Sequence, residues 1–296
     1  FNGHTTGTTL AMEIRNGNQH SKDYDILKDH MRPGHADYTG FVKYGGFNDY
    51  RGGGHFSGRI TAPLTFAGAL ARQVLEKEGI FIGAHALAIH GIKDRPFHPL
   101  GEEKALFERL DAMKLPVIDE KAGKAMEEAI LSAQKEGDSV GGVVECMACG
   151  LPVGLGDPFF DSLESEMAHM MFSVPAVKAI SFGEGFGFAS LYGSEANDSL
   201  HYEGGTPKAL TNHNGGVLGG ISSGSPLLFT LAVKPPASIG KRQRTIDISK
   251  KEDTDLSIGG RHDPCIIPRA IPVIENAAAL VILDLLLTDR RNSHVG

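Results

Sequence analysis

The sequence has no tryptophan, only three cysteines, and no uninterrupted apolar stretch of membrane-spanning length. An odd number of cysteines in a chain of 296 residues does not indicate a disulfide scaffold, so we expect a reducing, cytoplasmic location. The most apolar stretch, Ala277 to Leu287, is interrupted by Asp284. It is also shorter than the roughly 20 residues that a transmembrane helix needs, so we expect no contact with a membrane.

The chain also lacks a basic excess. It contains 29 Lys and Arg against 36 Asp and Glu, which gives a net charge of -7. Because nucleic-acid binders usually carry a basic surface, we expect no nucleic-acid partner. Single phosphate groups remain suitable ligands, since a local group of arginines can bind one whatever the net charge.

Several common catalytic motifs are absent. The sequence has no GxxxxGK[ST], HExxH or GxSxG, and the run GEGFG at 183–187 has the wrong spacing for a dinucleotide loop. Cys146 and Cys149 form a lone CxxC, which is a weak zinc half-site and more typical of two thiols on opposite faces of a buried strand. A metal-dependent hydrolase built on scattered histidines (His35, His55, His213 and His262) is disfavoured because they lack paired metal-ligand spacing, and we expect no metal.

Glycine, by contrast, is abundant and clustered. There are 38 glycines, about 13% of the chain against roughly 7% in average proteins. Residues 1–61 are polar and Gly-rich and show no helical or strand period, which indicates functional loops.

The rest of the chain predicts an α+β fold. Helices are predicted from Thr61 (as cap) to Gly79, from Asp119 to Glu136, from a capping box of Asp161 and Glu164 onward, and from near Pro272 onward. Strands are predicted over 139–149, 217–224 and 226–233, and 240–256 is predicted to be an exposed hairpin or a mobile loop. The strands are grouped rather than alternating with helices, which favours α+β over a doubly wound sheet.

Two clusters in the first 61 residues combine cations with breakers. Arg32-Pro-Gly-His35-Ala-Asp37 offers a guanidinium fork for carboxylate or phosphate and an imidazole that titrates near neutral pH. The alternative is a loop histidine satisfied by Asp37. Arg51-Gly-Gly-Gly-His55-Phe56-Ser57-Gly-Arg59 offers converging backbone N–H groups before a helix, and the alternative is a tight hairpin with surface arginines.

Later segments add three further candidates. The Gly-rich run at 212–224 suits a planar ring packed flat against it, or else a weakened edge strand. The run Gly260-Arg261-His262-Asp263-Pro264-Cys265 places a cation, an imidazole and a carboxylate together, or else forms a salt-bridged turn. Lys234 could bind a phosphate, although a single lysine after a strand is usually solvated. Taken together, these clusters predict a soluble enzyme that holds phosphorylated, anionic small molecules.

In order along the chain, these segments resemble chorismate synthase. The matching blocks are TTGT (5–8), RPGHADYT (32–39), KYG (43–45), YRGGG…SGR (50–59), EGDSVGG (136–142), PVGLGDP (152–158), NHNGGVLGGISSG (212–224), KPPASI (234–239) and GRHDPC (260–265). The resemblance implies conversion of 5-enolpyruvylshikimate 3-phosphate to chorismate and phosphate with reduced FMN, in the shikimate pathway. It also implies a β-α-β sandwich with helices packed between antiparallel sheets, and a homotetramer. Reduction of the flavin by NADPH within this chain stays open, and since no reductase domain is visible we expect reduced FMN to come from elsewhere.

The resemblance also implies site residues. His35 corresponds to the histidine near reduced flavin, and Asp263 to the aspartate that assists proton transfer at the flavin N5. Substrate-binding arginines correspond to Arg32, Arg59 and Arg261. The cofactor-binding positions correspond to His55, Phe56, Ser57, Pro175, Ala176, Gly219, Lys234, Pro235, Pro236, Ala237, Ser238 and Arg261.

Some positions depart from the family pattern. Many relatives have GGGRSSARET where this chain has GGGHFSGRIT, so His55, Phe56 and Ile60 replace an arginine, a serine and a glutamate. KPTSS has become KPPAS, and an Asn-Ala pair has become Pro175-Ala176. We interpret these changes as differences between lineages.

The beginning of the chain also departs from the family. It starts with Phe1, without the family's GxSHG block, which carries a second catalytic histidine, and without the Arg-rich substrate segment. We therefore expect residues 1–296 to be a single, N-terminally incomplete chorismate synthase-like domain. Loss of that general acid would cost on the order of 10²–10⁴ in rate. The expectation is that 1–296 is poorly active, or an FMN- and anion-binding fragment, while the intact gene product is active.

Overall fold

The computed structural model describes residues 2–15, 26–259 and 262–292. Within these ranges the helices are α1 (Asp37–Lys43), α2 (Thr61–Lys77), α3 (Lys104–Asp111), α4 (Glu120–Lys135), α5 (Leu163–Ser173), α6 (Gly193–Ala196) and α7 (Ile267–Asn292). The strands are β1 (Phe81–Ile89), β2 (Ile92–Lys93), β3 (Gly142–Cys149), β4 (Val177–Phe182), β5 (Leu200–Glu203), β6 (Thr206–Ala209), β7 (Val217–Leu218), β8 (Ile221–Ser222), β9 (Leu227–Val233), β10 (Gln243–Asp247) and β11 (Glu252–Leu256).

One five-stranded antiparallel sheet organises the fold, with strand order β2-β1-β3-β9-β4. The remaining strands of the described residues form three two-stranded hairpins, β5–β6, β7–β8 and β10–β11. Mixed helices and antiparallel sheets confirm the α+β class.

Side chains alternate between the two faces of the large sheet, as the two-residue period of a strand requires. Ala84, Cys146 and Phe229 point to the face covered by α2, α5 and α7, in the larger hydrophobic core. Met147 and Leu228 point to the opposite face, against Phe97 and the α3 side chains Phe107 and Leu110. The helix layer is thus held by the central strands β1, β3 and β9.

Helix α7 is the most apolar element. Its segment Ile267–Asp289 is long and apolar enough to cross a membrane. This segment is longer than the apolar stretch noted in the sequence. However, 67% of its most apolar window is buried inside the protein. The helix packs against α2, β1 and α5. Its composition is therefore that of a core helix.

Several predicted element boundaries were wrong. Thr61 does not cap α2, because a turn of 3₁₀ helix (Gly58–Ile60) precedes it, and its hydroxyl donates to the carbonyl of Gly58 at 2.6 Å. The cap of α5 is Ser162 rather than Asp161, since the Ser162 hydroxyl accepts from Ser165 N. Helix α7 begins at Ile267, because Pro268 fits a first helical turn, and it continues through Pro272.

The segment 217–224 is a hairpin rather than one strand, since it reverses at Gly219 and Gly220. The hairpin prediction for 240–256 is confirmed by β10 and β11. Cys146 and Cys149 lie on opposite faces of β3, as expected for two thiols on a buried strand, and all three cysteines are free.

A buried ionic cluster links β1 and β3 to the loop after β2. His85 is fully buried, and its Nδ1 and Nε2 lie 2.9 Å from Asp94 Oδ2 and 2.8 Å from Glu145 Oε2. Burial would lower the pKa of His85, but the hydrogen bonds to Asp94 and Glu145 outweigh it and raise that pKa above its usual value. Asp94 also accepts from the backbone N–H groups of Ile118 and Asp119, which fixes the approach to α4.

A second buried carboxyl joins α7 to β1. Glu275 Oε1 accepts from Ala84 N at 2.6 Å, and Oε2 lies 3.4 Å from Arg72 Nη1 of α2. Burial raises the pKa of Glu275 to about 8, and the neighbouring Asp111 adds to the rise.

Candidate active site

A single cavity of about 850 Å³ gathers most of the predicted site residues. Its walls come from the loop before α1, the Gly-rich loop before α2, the turn between α5 and β4, the segment after β9, and the chain around the start of α7. The predicted site residues that line it are Arg32, His35, His55, Phe56, Ser57, Arg59, Pro175, Ala176, Lys234, Pro235, Pro236, Ala237, Ser238 and Asp263. His35 and Asp263 therefore share one cavity. Its volume lies within the roughly 300–1,000 Å³ of small-molecule sites.

An arginine, a histidine and an aspartate form a hydrogen-bonded unit beside this cavity. Asp37 Oδ2 accepts from Arg32 N at 3.0 Å and Arg32 Nε at 2.7 Å, and Oδ1 accepts from Arg32 Nη2 at 2.7 Å. The same Oδ1 lies 2.6 Å from His35 Nδ1. The five-residue separation of Arg32 and Asp37 closes the RPGHAD loop on itself, so its shape is fixed locally.

Burial shapes the charge of this unit. Arg32 and Asp37 are only 7% and 9% exposed. Burial would raise the pKa of Asp37, but hydrogen bonds from Arg32 and His35 outweigh it and hold that pKa well below its usual range. Asp37 therefore stays ionised.

The Gly-rich loop lies against the RPGHAD loop. Residues Arg51–Phe56 form a 3₁₀ helix in which Gly53 has φ +81°, a value that favours glycine. A Cβ at Gly53 would lie 3.8 Å from His35 Nε2. Phe56 packs over Gly40 of α1, where a Cβ would lie 2.7 Å from Cε2 of its ring. Phe56 thus joins the loop to α1.

The segment after β9 is joined to both neighbouring loops. Lys234 N donates to the carbonyl of Ala176 at 2.9 Å, and Lys234 Nζ donates to the carbonyl of Gly34. Arg32 Nη1 donates to Ser238 Oγ at 3.1 Å. Ala176 itself has φ +74°, a conformation that is uncommon for a residue with a side chain. These bonds place a lysine and a serine beside the guanidinium of Arg32.

The last wall comes from the GRHDPC segment and α7. Asp263 Oδ2 accepts from Arg269 Nη1 at 2.7 Å, and His262 Nε2 lies 2.9 Å from the carbonyl oxygen of Gly259. Arg261, predicted to bind both substrate and cofactor, lies outside the described residues.

Two predicted features lie elsewhere. Gly219 is in the turn of the β7–β8 hairpin and does not line the cavity. In the same 212–224 segment, Asn212 donates to the carbonyls of Pro99 and Pro226, so this residue serves the fold. His213 pairs with Glu184 at 3.1 Å rather than with the other histidines. Among the described residues, no group of three or more His, Cys, Asp or Glu side chains is placed to hold a metal ion.

The sequence reasoning missed other lining residues. Arg269 adds a cation, and Ile258, Ile266 and Val273 add apolar walls. Arg269 could have been predicted from sequence, because it lies six residues after Asp263, at the start of a helix. The apolar residues could not be separated from core positions by sequence.

Comparisons with known proteins identify the family of this chain. The family described as chorismate synthase matches residues 1–287. The chorismate synthase of Dehalococcoides mccartyi strain BAV1 is 45% identical over 287 residues, which cover 97% of this chain and 78% of that protein. That of Thermococcus kodakarensis is 44% identical over 291 residues, covering 98% and 79%. That of Korarchaeum cryptofilum is 41% identical over 293 residues, covering 99% and 80%.

A solved structure leads to the same family. A crystal structure of chorismate synthase superposes with a TM-score of 0.69 at 25% sequence identity, covering 86% of this chain and 71% of that one. The sequence matches and the solved structure therefore agree on the family. The chain therefore belongs to the chorismate synthase family, whose role is that of a lyase in the shikimate pathway of aromatic biosynthesis.

Proposed function

We propose that this protein eliminates phosphate from 5-enolpyruvylshikimate 3-phosphate to give chorismate, with reduced FMN as cofactor. The charge of the cavity carries the proposal. The described lining residues include four cationic side chains (Arg32, Arg59, Lys234 and Arg269) and one carboxylate, Asp263, and even with Asp37, which pairs with Arg32 beside the cavity, the local charge is positive in a chain whose net charge is -7. A substrate with two carboxylates and a phosphate fits that concentration of positive charge.

The same cavity suits FMN. Pro175, Ala176 and Ile266 provide apolar surface for a planar ring, while Lys234 and Ser57 can hydrogen-bond a phosphate. Reduced FMN held by these residues would supply electron density for the elimination.

The protein's own residues would do the remaining work. Arg32 and Arg59 bind the anionic groups and orient the substrate ring. When its ring is charged, His35 supplies a proton or a hydrogen bond from its Nε2, and Asp263, held by Arg269, accepts a proton. The cations also stabilise negative charge that accumulates on the departing phosphate.

An anaerobic assay tests this proposal. The protein is mixed with chemically reduced FMN and 5-enolpyruvylshikimate 3-phosphate, and released phosphate and chorismate are measured together. We expect equal amounts of both, and a decrease on the order of 10²–10⁴ in the His35→Ala variant. His169→Ala, an exposed histidine of α5 outside the cavity, is the matched control and should match the wild type. FMN binding without release of phosphate would contradict the proposal and favour the alternative stated above, an FMN- and anion-binding fragment.

We also propose that the protein acts as a cytoplasmic homotetramer. Free cysteines suit a reducing compartment. Phe159, Phe160 and Phe186 are 87%, 87% and 89% exposed, which is unusual for aromatic side chains and suits burial between copies. Light scattering should give four times the chain mass of 31.6 kDa, and Phe159→Asp should lower it. A wild-type monomer at micromolar concentration would contradict this assembly.

A further inference from the structure

The carboxylate of Asp37 decides which nitrogen of His35 carries a proton. Because this carboxylate is ionised, both of its oxygens can only accept hydrogen bonds. A ring nitrogen 2.6 Å from Oδ1 must therefore supply a hydrogen.

Arg32 does not compete for that position. Its Nη2 lies 3.0 Å from His35 Nδ1, but it also lies 2.7 Å from Asp37 Oδ1, and an N–H cannot donate to a nitrogen that already bears hydrogen. The guanidinium therefore donates to the carboxylate, which leaves the Nδ1 proton of His35 in place.

The other ring nitrogen is left for the cavity. His35 Nε2 has no hydrogen-bond partner among the described residues, and it lies beside Gly53, which also lines the cavity. We propose that Asp37 is a positioning residue that holds His35 in its Nδ1–H form. Nε2 is then an acceptor when the ring is neutral and a donor when it is charged. The identity of the ligand that Nε2 meets rests on the proposed function, whereas the tautomer does not.

Replacement by asparagine makes the proposal testable. Arg32 N and Nε both donate to Asp37 Oδ2, so in Asp37→Asn the amide oxygen should occupy that position. The amide NH₂ then takes the place of Oδ1. An amide NH₂ cannot accept a hydrogen bond, so His35 Nδ1 has to become the acceptor and the ring proton moves to Nε2. Arg32 Nη2 loses its carboxylate acceptor in this variant and can donate instead to His35 Nδ1, 3.0 Å away, which favours the same tautomer.

The tautomer can be measured directly in the free protein. Histidine rings are labelled with ¹⁵N, and their protonation is recorded by ¹H–¹⁵N correlation up to about pH 9, where ordinary histidines are neutral. His35→Gln assigns the signal. We expect Nδ1–H in the wild type and in Asp37→Glu, and Nε2–H in Asp37→Asn. Asp255→Asn, which removes the partner of Arg242 on the β10–β11 hairpin, is the control and should leave the signal unchanged. An Nε2–H ring in the wild type, or an unchanged ring in Asp37→Asn, overturns the proposal.

Kinetics separate positioning from folding. In the phosphate-release assay, Asp37→Asn should lower kcat on the order of 10²–10⁴ with little change in KM, and Asp37→Glu should restore part of the rate. A rise in KM of the same size, without loss of kcat, would indicate that Asp37 has a merely structural role. If the wild type releases no phosphate, the proposed function fails, and the ring tautomer still decides the role of Asp37.

Discussion

The crossing of α2 and α7 should not tolerate a single added methyl group at Gly68. A Cβ at this position would lie 2.5 Å from the carbonyl carbon of Asn276 and closer still to its oxygen. The obstacle is the backbone of α7 rather than a flexible side chain, so the only relief is separation of the two helices. Carbon atoms in good contact are about 3.5–4.0 Å apart, which requires a shift of roughly 1 Å.

Two effects of opposite sign compete in Gly68→Ala. Alanine stabilises a helix interior by about 1 kcal/mol relative to glycine. Forcing an extra methyl group into a packed core costs about 1–3 kcal/mol, and an immovable neighbour places this case at or beyond the upper end. We therefore expect a net loss of about 2 kcal/mol or more, with a decrease in Tm of roughly 2–4 °C for each kcal/mol.

Thermal and urea unfolding measure this loss, and an FMN titration measures its effect on the site. Thr61 of α2 and Val273 of α7 both line the cavity, so separating the helices should also weaken FMN binding. Ala67→Gly, on the exposed side of α2, is the matched control: it should lower stability by about 1 kcal/mol through helix propensity and leave FMN affinity unchanged. A Gly68→Ala protein as stable as the wild type would refute the close contact.

Three further perturbations have defined outcomes. Lys234→Met should weaken FMN binding by about tenfold or more, as expected for a lost charge-assisted hydrogen bond, and leave riboflavin binding unchanged in a fluorescence titration; equal losses for both would contradict a phosphate contact. Glu275 keeps its proton in the folded state up to about pH 8, so wild-type stability should fall as the pH rises from about 4.5 toward 8, and urea unfolding should show a shallower fall in Glu275→Gln. The raised pKa of His85 contributes stability that is complete below its unfolded pKa of about 6.5 and is lost as the pH rises through its folded value. His85→Gln should therefore lose on the order of 3–5 kcal/mol at pH 6 and less at pH 9, whereas an equal loss at both pH values would argue against a charged His85.

The sequence predicted the part of the site that lies within one short segment. Arg32, His35 and Asp37 lie within six residues, and their mutual hydrogen bonds need no distant partner. The part of the cavity formed by Lys234 to Ser238 could not be predicted in this way. Lys234 reaches Gly34 across 200 positions and Arg32 reaches Ser238 across 206, and contacts of this range depend on the tertiary packing of the whole chain.

The parts of the fold that the sequence did not predict have similar causes. Strand β1 (Phe81–Ile89) is buried on both faces and rich in alanine, so it shows no alternation of polar and apolar residues that would distinguish it from a helix. The family motif predicts that Gly219 contacts the cofactor, and in the structure Gly219 and Gly220 form the turn of the β7–β8 hairpin, outside the cavity. The motif therefore specified a local turn, while its distance from the cavity depends on tertiary packing.

Because the cavity is assembled from stretches spread between residues 27 and 273, no short piece of the chain could retain it. A molecule that occupies it contacts both the loop before α1 and helix α7, and so opposes unfolding of the segments between them. At one hundred times its dissociation constant, such a ligand would add about 2.7 kcal/mol to the free energy of unfolding. Any ligand of this cavity should therefore also raise the thermal stability of the whole fold.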